Sequence, residues 1–422
     1  MPPPAGQRYN SARMSLAALL SGNWRRHGWP LVAIMSVAQL VSWGTIFYGF
    51  PLFVVPMESE LGWSRATLNG ALSLGLLVAG FAAYPVGRRI DRHGGRAVMS
   101  TGSLLGGLLF VAWSFVDHPI AFYAIWIGLG LAQALTLYTP VFAVLTRLFP
   151  ASFKLRITVL TLAGGLASTV FTPLIAWWIE TLGWRDALLA MAACNLLFCL
   201  PVHAVLLRDR TALEARPDTT EISAAPAQTH SPMQRALRNP VFWGLAVSFT
   251  FYLLAHSMLI FHFLPMLDEF GMPLAVAVAV ITVIGPSQVA GRVLLLVFGR
   301  RIETVTTGYV VMTQFLIGML LLIVFPSHAP MLFVMAAIYG AANGMMTILR
   351  GTAVPELLGR DAVGAISGAL TLPASIAAAI GPSLAALVWE LADGYRAVQF
   401  MMLAAMVVST AGFTFAASKS RK

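Results

Sequence analysis

Long apolar runs separated by short polar ones dominate the chain. Twelve runs are about 20 residues long or more, enough for a helix to cross a hydrocarbon core. They fall at residues 31–55, 65–86, 97–116, 120–145, 157–179, 187–207, 240–267, 274–298, 306–325, 331–353, 365–391 and 397–417. Membrane β-strands are only about 10 residues long and alternate apolar with polar positions. These runs do neither, and only helices and closed barrels satisfy their backbone in lipid. The pattern therefore predicts an all-α membrane protein with twelve transmembrane helices. One long polar stretch, residues 208–239 with Pro217, Pro226 and Pro232 among Ala, Thr and Ser, divides the spans six and six. It reads as a flexible linker. The expected organisation is a tail (1–28), a six-helix bundle (29–207), the linker (208–239), a second six-helix bundle (240–417) and a short tail (418–422).

Composition supports this. Hydrophobic residues make up 58% of the 422 and charged residues 10%, against about 45–50% and about 25% in soluble domains. A net charge of +10 would point to nucleic acid in a soluble chain, but here its placement gives it another meaning. Of the 27 Lys and Arg residues, all but Arg65, Arg185 and Arg396 fall on one side of the twelve-span arrangement. Positive loops stay cytoplasmic, so both termini are expected inside, at the plasma membrane or a bacterial inner membrane. The run Met14 to Leu20 imitates a signal peptide, but it is short and no small-x-small cleavage site follows it; it reads as a retained tail. Cys194 and Cys199 form neither a metal motif nor a disulfide framework. No cofactor, metal, nucleic acid or obligatory protein partner is expected beyond the lipid bilayer and a small-molecule substrate. An integral-membrane enzyme would need a paired acidic metal motif, an H-E-x-x-H or a nucleophile–base pair, and none is present. A transporter-like sensor would have to signal through the linker, which lacks a strong helical motif.

The halves repeat. Gly87-Arg-Arg-Ile-Asp91 recurs as Gly299-Arg-Arg-Ile-Glu303, 212 positions on, and Leu160-Thr-Leu162 as Leu370-Thr-Leu372, 210 on. Gly183-Trp-Arg185 recurs as Gly394-Tyr-Arg396 at 211, and Glu60-Leu-Gly62 as Glu269-Phe-Gly271 at 209. Four matches near one offset indicate a duplicated six-helix unit, an architecture of alternating-access transporters with a midplane site.

With these residues in view, the chain resembles the major facilitator superfamily. Gly87-Arg-Arg-Ile-Asp91-Arg92-His-Gly94-Gly-Arg96 fits the family's loop 2–3 signature, G-x-x-x-D-R-x-G-x-[RK]. The resemblance implies that this cluster latches the cytoplasmic gate. Physically, Gly87 removes a side chain where helices approach. Asp91 can cap a neighbouring helix or pair with Arg147 or Arg156; a loop that merely sets topology is the bland alternative. Within the superfamily the chain is similar to the monocarboxylate and oxalate–formate branch, through Gly49-Phe50-Pro51, Gly62, Gly95-Arg96-x-Val98-Met99 and Gln288-Val-Ala-Gly-Arg292. That resemblance implies a substrate-binding role for Arg292. Gln288 stands where relatives carry an acid, and Leu52 where many carry a proton-handling Lys. The arginine carries over and the relay does not. The efflux branch's glycine-rich helix 5 signature is matched poorly by Gly164-Gly165 and Thr172-Pro173.

Ionisable groups within spans are candidates for function by default. Arg292 lies eight residues before Arg300, about 12 Å inside the cytoplasmic end. It is either a substrate ligand or a snorkelling side chain. Gln288, one turn away, shares its face. By the repeat, Arg147 corresponds to position 358, which places Arg350 about 12 Å deep unless Pro355 shortens the helix. No carboxylate sits mid-span, so an anionic substrate is the simplest counter-ion. His256, about 24 Å into the seventh span, and His262 are candidates for proton coupling. Gln133 and Asn343 correspond at an offset of 210; with Gln39, Trp43, Tyr48 and Tyr138 they could line the cavity or serve as helix–helix hydrogen bonds. The expected function is secondary transport of a small organic anion, monocarboxylate-like, coupled to protons or by exchange. The alternative is efflux of an apolar or metalloid toxicant.

Overall fold

The computed structural model describes residues 24–207, 231–298 and 302–420, of 24–27 the backbone only. The Met14 to Leu20 run, most of the linker and Gly299 to Arg301 of the second motif copy lie outside the described residues. Among the described residues, twelve helices are long and apolar enough to cross a membrane. They are α1 (Gly28–Leu61), α2 (Arg65–His93), α3 (Arg96–Ser114), α4 (Pro119–Leu148), α5 (Phe153–Leu182), α6 (Trp184–Leu206), α7 (Pro240–Glu269), α8 (Leu274–Phe298), α9 (Thr304–Val324), α10 (Ala329–Leu357), α11 (Val363–Ala392) and α12 (Tyr395–Ser420).

Several helices outrun their apolar limits. α2 carries Arg88, Arg89, Asp91 and Arg92 on its last turns, because a helix continues readily into the polar interface. Pro355 does not shorten α10; it sits in the last turn, where only the bond to the Gly351 carbonyl is forfeited. The linker is not wholly irregular. Pro232–Arg238 forms a helix, opened by a capping box between Ser231 and Gln234, and Arg235 pairs with Asp361 at 3.2 Å.

In the first bundle α4 packs on α2 and α3, α6 on α3, and α1 on α5; in the second, α7 packs on α11 and α12, and α10 on α8 and α9. The bundles meet along α2–α11 and α5–α8. The repeats seen in sequence build matching caps. Glu60 accepts from Trp184 Nε1 (2.5 Å) and Arg185, and Arg185 reaches the Ser114 carbonyl at 2.7 Å. Glu269 accepts from Trp389 Nε1 and the Tyr395 backbone (both 2.7 Å), and Arg396 reaches the Ile323 carbonyl at 2.6 Å. In each half the first, third and sixth helices are tied together at the face opposite the basic loops, and in the second half Trp389 adds α11.

The bundles differ in regularity. Helices α7 to α12 are each unbroken, whereas four of the first six are interrupted. α1 and α6 contain π-helical turns at Trp43–Tyr48 and Cys194–Cys199, joined by Asn195 Nδ2 donating to Thr45 Oγ1 at 3.0 Å. α4 breaks at Leu137, whose backbone is extended. α5 breaks after Gly164-Gly165, a pair with poor helix propensity. Downstream of the α4 break, Pro140 lacks the N–H that would close on Thr136. The freed Thr136 carbonyl accepts from Gln39 Nε2 at 2.6 Å.

Candidate substrate site and gate

Hydrogen bonds crossing between the bundles gather at the face that carries the chain ends, the basic face. Asp91 of α2 caps the N-terminus of α11: its Oδ1 accepts from Gly364 N–H at 2.9 Å and its Oδ2 from Ala365 N–H at 2.7 Å. A carboxylate at a helix N-terminus satisfies orphan donors and meets the positive end of the helix dipole. Each such charge-assisted bond contributes about 1.5–3 kcal/mol. Of the sequence alternatives for Asp91, helix capping is the one observed. Arg147 instead donates to the Ile90 and Asp91 carbonyls at 2.9 and 3.0 Å, and Arg156 lies over the Phe149 and Trp29 rings. Gly87 is required by close approach, since a Cβ there would overlap the Gly364 carbonyl. Gly94 ends α2 with a φ of +78°. Arg96 stays within its own bundle, donating to the Ala204 carbonyl at 2.7 Å, and Arg92 is exposed.

Two contacts missed in the sequence complete the closure. Lys154, at the start of α5, donates to the Ile302 carbonyl at 2.7 Å and lies 3.9 Å from Glu356. The Phe142 ring of α4 covers Gly351 of α10. No motif marks either contact, because each joins residues about 150 to 210 positions apart whose proximity depends on how the bundles dock.

Above this closure lies the cluster of candidate ligands. Arg292 is 4% exposed and its guanidinium crosses from α8 to the break in α5. A Cβ on Gly165 would overlap its Nη1, so the glycine is the seat of the arginine. Arg292 Nη2 is 3.5 Å from Gln288 Oε1, while the buried Nε and Nη1 have no hydrogen-bond partner among the described residues. No carboxylate pairs with Arg292: the ion pairs among the described residues are Arg65–Glu58, Lys154–Glu356, Arg185–Glu60 and Arg235–Asp361. Snorkelling is thus not what the side chain does; it points into the interface between the bundles.

Around the arginine, α1 and α4 present aromatic rings. Trp43 and Tyr138 lie 4.6 Å apart between centroids, and Tyr138 stacks on Phe142 at 5.1 Å. The Tyr48 and Tyr138 hydroxyls are within electrostatic reach of Arg292. Trp43 Nε1 is a further buried donor without a partner. On α10, Asn343, Thr347 and Arg350 are partly exposed at i, i+4 and i+7, while Gly344 to Met346, Ile348, Leu349 and Gly351 are buried. That stripe faces the space between the bundles, and Arg350 lies over the Phe249 ring at 5.9 Å. Tyr252 of α7 donates to Asn343 Oδ1, and His256 Nδ1 shares a hydrogen bond of 2.6 Å with the Tyr339 hydroxyl.

Two of the amides named as possible lining residues and one candidate for proton coupling sit elsewhere. Gln39 and Gln133 are buried between α1 and α4 and donate to the Thr136 and Ile46 carbonyls. Both carbonyls lie at or beside helix irregularities that leave them needing donors, so these amides repair backbone. His262 commits both ring nitrogens, to the Tyr395 hydroxyl and the Pro382 carbonyl at 2.9 Å each, which holds α7 to α11 and α12.

This arrangement of two six-helix repeats, joined at one face with polar groups between them, defines a carrier-type membrane protein. The family pattern of the Major Facilitator Superfamily matches residues 32–382, and the chain belongs to that superfamily of transporters. Rat monocarboxylate transporter 13 is 26% identical over 396 residues, 93% of this chain and 88% of the relative. A shorter stretch of 151 residues is 26% identical to probable anion transporter 3, chloroplastic, of Arabidopsis thaliana, covering 34% of this chain and 29% of that one. The fold is similar to the proton:xylose symporter XylE bound to 6-bromo-6-deoxy-D-glucose (TM-score 0.69, 12% identity, 90% of this chain and 94% of that one). It is also similar to FucP in the outward conformation (TM-score 0.68, 14% identity, 92% and 98%).

Proposed function

We propose that this transporter carries a small organic anion, a carboxylate, by alternating access, with the basic face cytoplasmic and both termini inside the plasma membrane or a bacterial inner membrane. One observation carries the reading: Arg292 is a buried cation with two unpartnered N–H groups and no protein counter-ion. An uncompensated buried charge costs several kcal/mol, and a carboxylate fits the guanidinium fork in a bidentate pair. Tyr48, Tyr138 and the Trp43 indole add donors around the same space. The similarity to a monocarboxylate transporter supports the same class. In the conformation described, Asp91, Lys154 and the Phe142–Gly351 contact close the cytoplasmic side. Reorientation would release these contacts and rock the bundles about the bound anion. His256 is the candidate for accompanying proton transfer, since Gln288 cannot titrate.

The test is uptake of labelled butyrate, lactate and pyruvate into proteoliposomes. Accumulation by the wild-type chain and its loss in Arg292→Gln is the expected result. Wild-type uptake that survives this change removes the arginine from the site.

A further inference from the structure

Arg292 is not the only uncompensated cation. Arg350 has no hydrogen bond or ion pair among the described residues, only the Phe249 ring. It is also sealed from the basic face. Gly351 to Pro355 behind it are buried, and Phe142 covers Gly351. A headgroup-directed role therefore does not fit the side chain.

The two arginines stand on neighbouring helices. α8 and α10 run parallel in backbone contact: a Cβ on Gly344 would overlap the Gln288 carbonyl, and one on Gly340 would crowd Ile284. The Gly344–Gln288 contact sets Arg292 level with Ile348 and the Gly291–Ala341 contact sets it level with Ala342, so Arg350 lies two to eight residues deeper, about 3–12 Å along the axis. The charges of both arginines act on the Tyr252 hydroxyl of α7. Near the basic face Asp91 is engaged with α11, Glu356 with Lys154 and Asp361 with Arg235, and Glu303 is exposed, while Glu269 is held at the opposite face. One carboxylate of a ligand neutralises one guanidinium and leaves the other bare inside the membrane, where a bare charge is most expensive.

We infer that the carried anion is divalent, with one acid group on Arg292 and the second on Arg350 beside Tyr252, so that Arg350 determines specificity. This rests on the anion reading above and narrows its substrate class. The relatives' names alone would suggest a single acid group; the second arginine argues for two.

The test uses the full-length chain in nanodiscs. Saturable thermal stabilisation is measured with α,ω-dicarboxylates of three to six carbons and with monocarboxylates of the same lengths. In the wild type, at least one diacid half-saturates at a concentration about tenfold or more below its monoacid, as one more charge-assisted pair requires. Arg350→Gln brings that ratio to about one while monoacid binding persists, and Arg350→Lys keeps part of the preference. Arg292→Gln weakens both. A monoacid that binds the wild type as well as its diacid, or an Arg350→Gln change that weakens both alike, overturns the divalent assignment and leaves the anion reading standing. Stabilisation by neither class in the wild type overturns both.

Discussion

The two bundles share a repeat and a fold but divide the work in opposite ways at two levels. Between the bundles, the second supplies the charge: Arg292 and Arg350 project from the unbroken helices α8 and α10. The first bundle answers with shape. Its breaks at Leu137 and Gly164-Gly165 turn Tyr138 inward and open the seat where Arg292 lies. At the basic face the roles reverse. Asp91 and Lys154 of the first bundle supply charged side chains, and the second answers mainly with backbone, the Gly364 and Ala365 N–H groups and the Ile302 carbonyl, beside the one carboxylate of Glu356. A straight helix presents a side chain at a well-determined depth, whereas a broken one exposes backbone and makes room. The duplicated unit yields both kinds of wall because the breaks occur in only one copy.

Removing the charge from the second bundle should have the largest effect. Arg292→Gln is expected to weaken substrate half-saturation by about 30-fold to 4000-fold, the range for truncating one side of a buried charge pair, with folding intact by size-exclusion profile. Filling the seat in the first bundle comes next. Gly165→Ala would stabilise an ordinary helix by about 0.5–1 kcal/mol. Here it should instead cut uptake about tenfold or more by displacing Arg292, since misplacement by about 1 Å costs about 100-fold in demanding sites. Normal uptake with a raised Tm would show that the glycine only breaks α5.

Smaller effects are expected at the gate. Asp91→Asn keeps an acceptor for one backbone donor and loses the charge. It should lower turnover about tenfold, equivalent to one charge-assisted bond, and raise labelling of a cysteine placed at Ser367 from the basic face. Unchanged labelling would mean that Asp91 sets topology alone. Lys154→Ala is milder, because its partner Glu356 is partly exposed and such pairs contribute about 0.2–1 kcal/mol. A double-mutant cycle with Glu356→Gln should give a coupling within that range. The smallest change in transport is expected from Gln133→Leu, which should lower Tm while leaving half-saturation unaltered; a shift in half-saturation would return Gln133 to the cavity.

Much of this was legible in the chain itself. The spans, the six-plus-six division and the repeated loop motifs follow from local rules: hydrocarbon thickness demands apolar length, and duplicated loops keep their chemistry. Arg292 also stood out, because charge within a span is too expensive to be incidental, and Asp91 stood out through the loop 2–3 signature. The signals that misled were amides. Gln39 and Gln133 look like cavity residues by depth, yet the backbone irregularities of α1 and α4 claim them. The linker's short helix was hidden by a Pro-, Ala- and Ser-rich context, although Ser231 and Gln234 at capping-box spacing were a readable cue.

Sequence alone thus determined that this is a twelve-helix, duplicated membrane carrier with unneutralised arginines in its second half. Tertiary structure alone decided what those arginines face. Depth along a helix follows from counting residues, but direction around its axis and the neighbour it meets depend on docking between distant segments. Gly165 beneath Arg292, Phe142 over Gly351 and Asp91 on α11 are all contacts between bundles. No periodicity within one bundle encodes them, because they exist only where the two bundles meet.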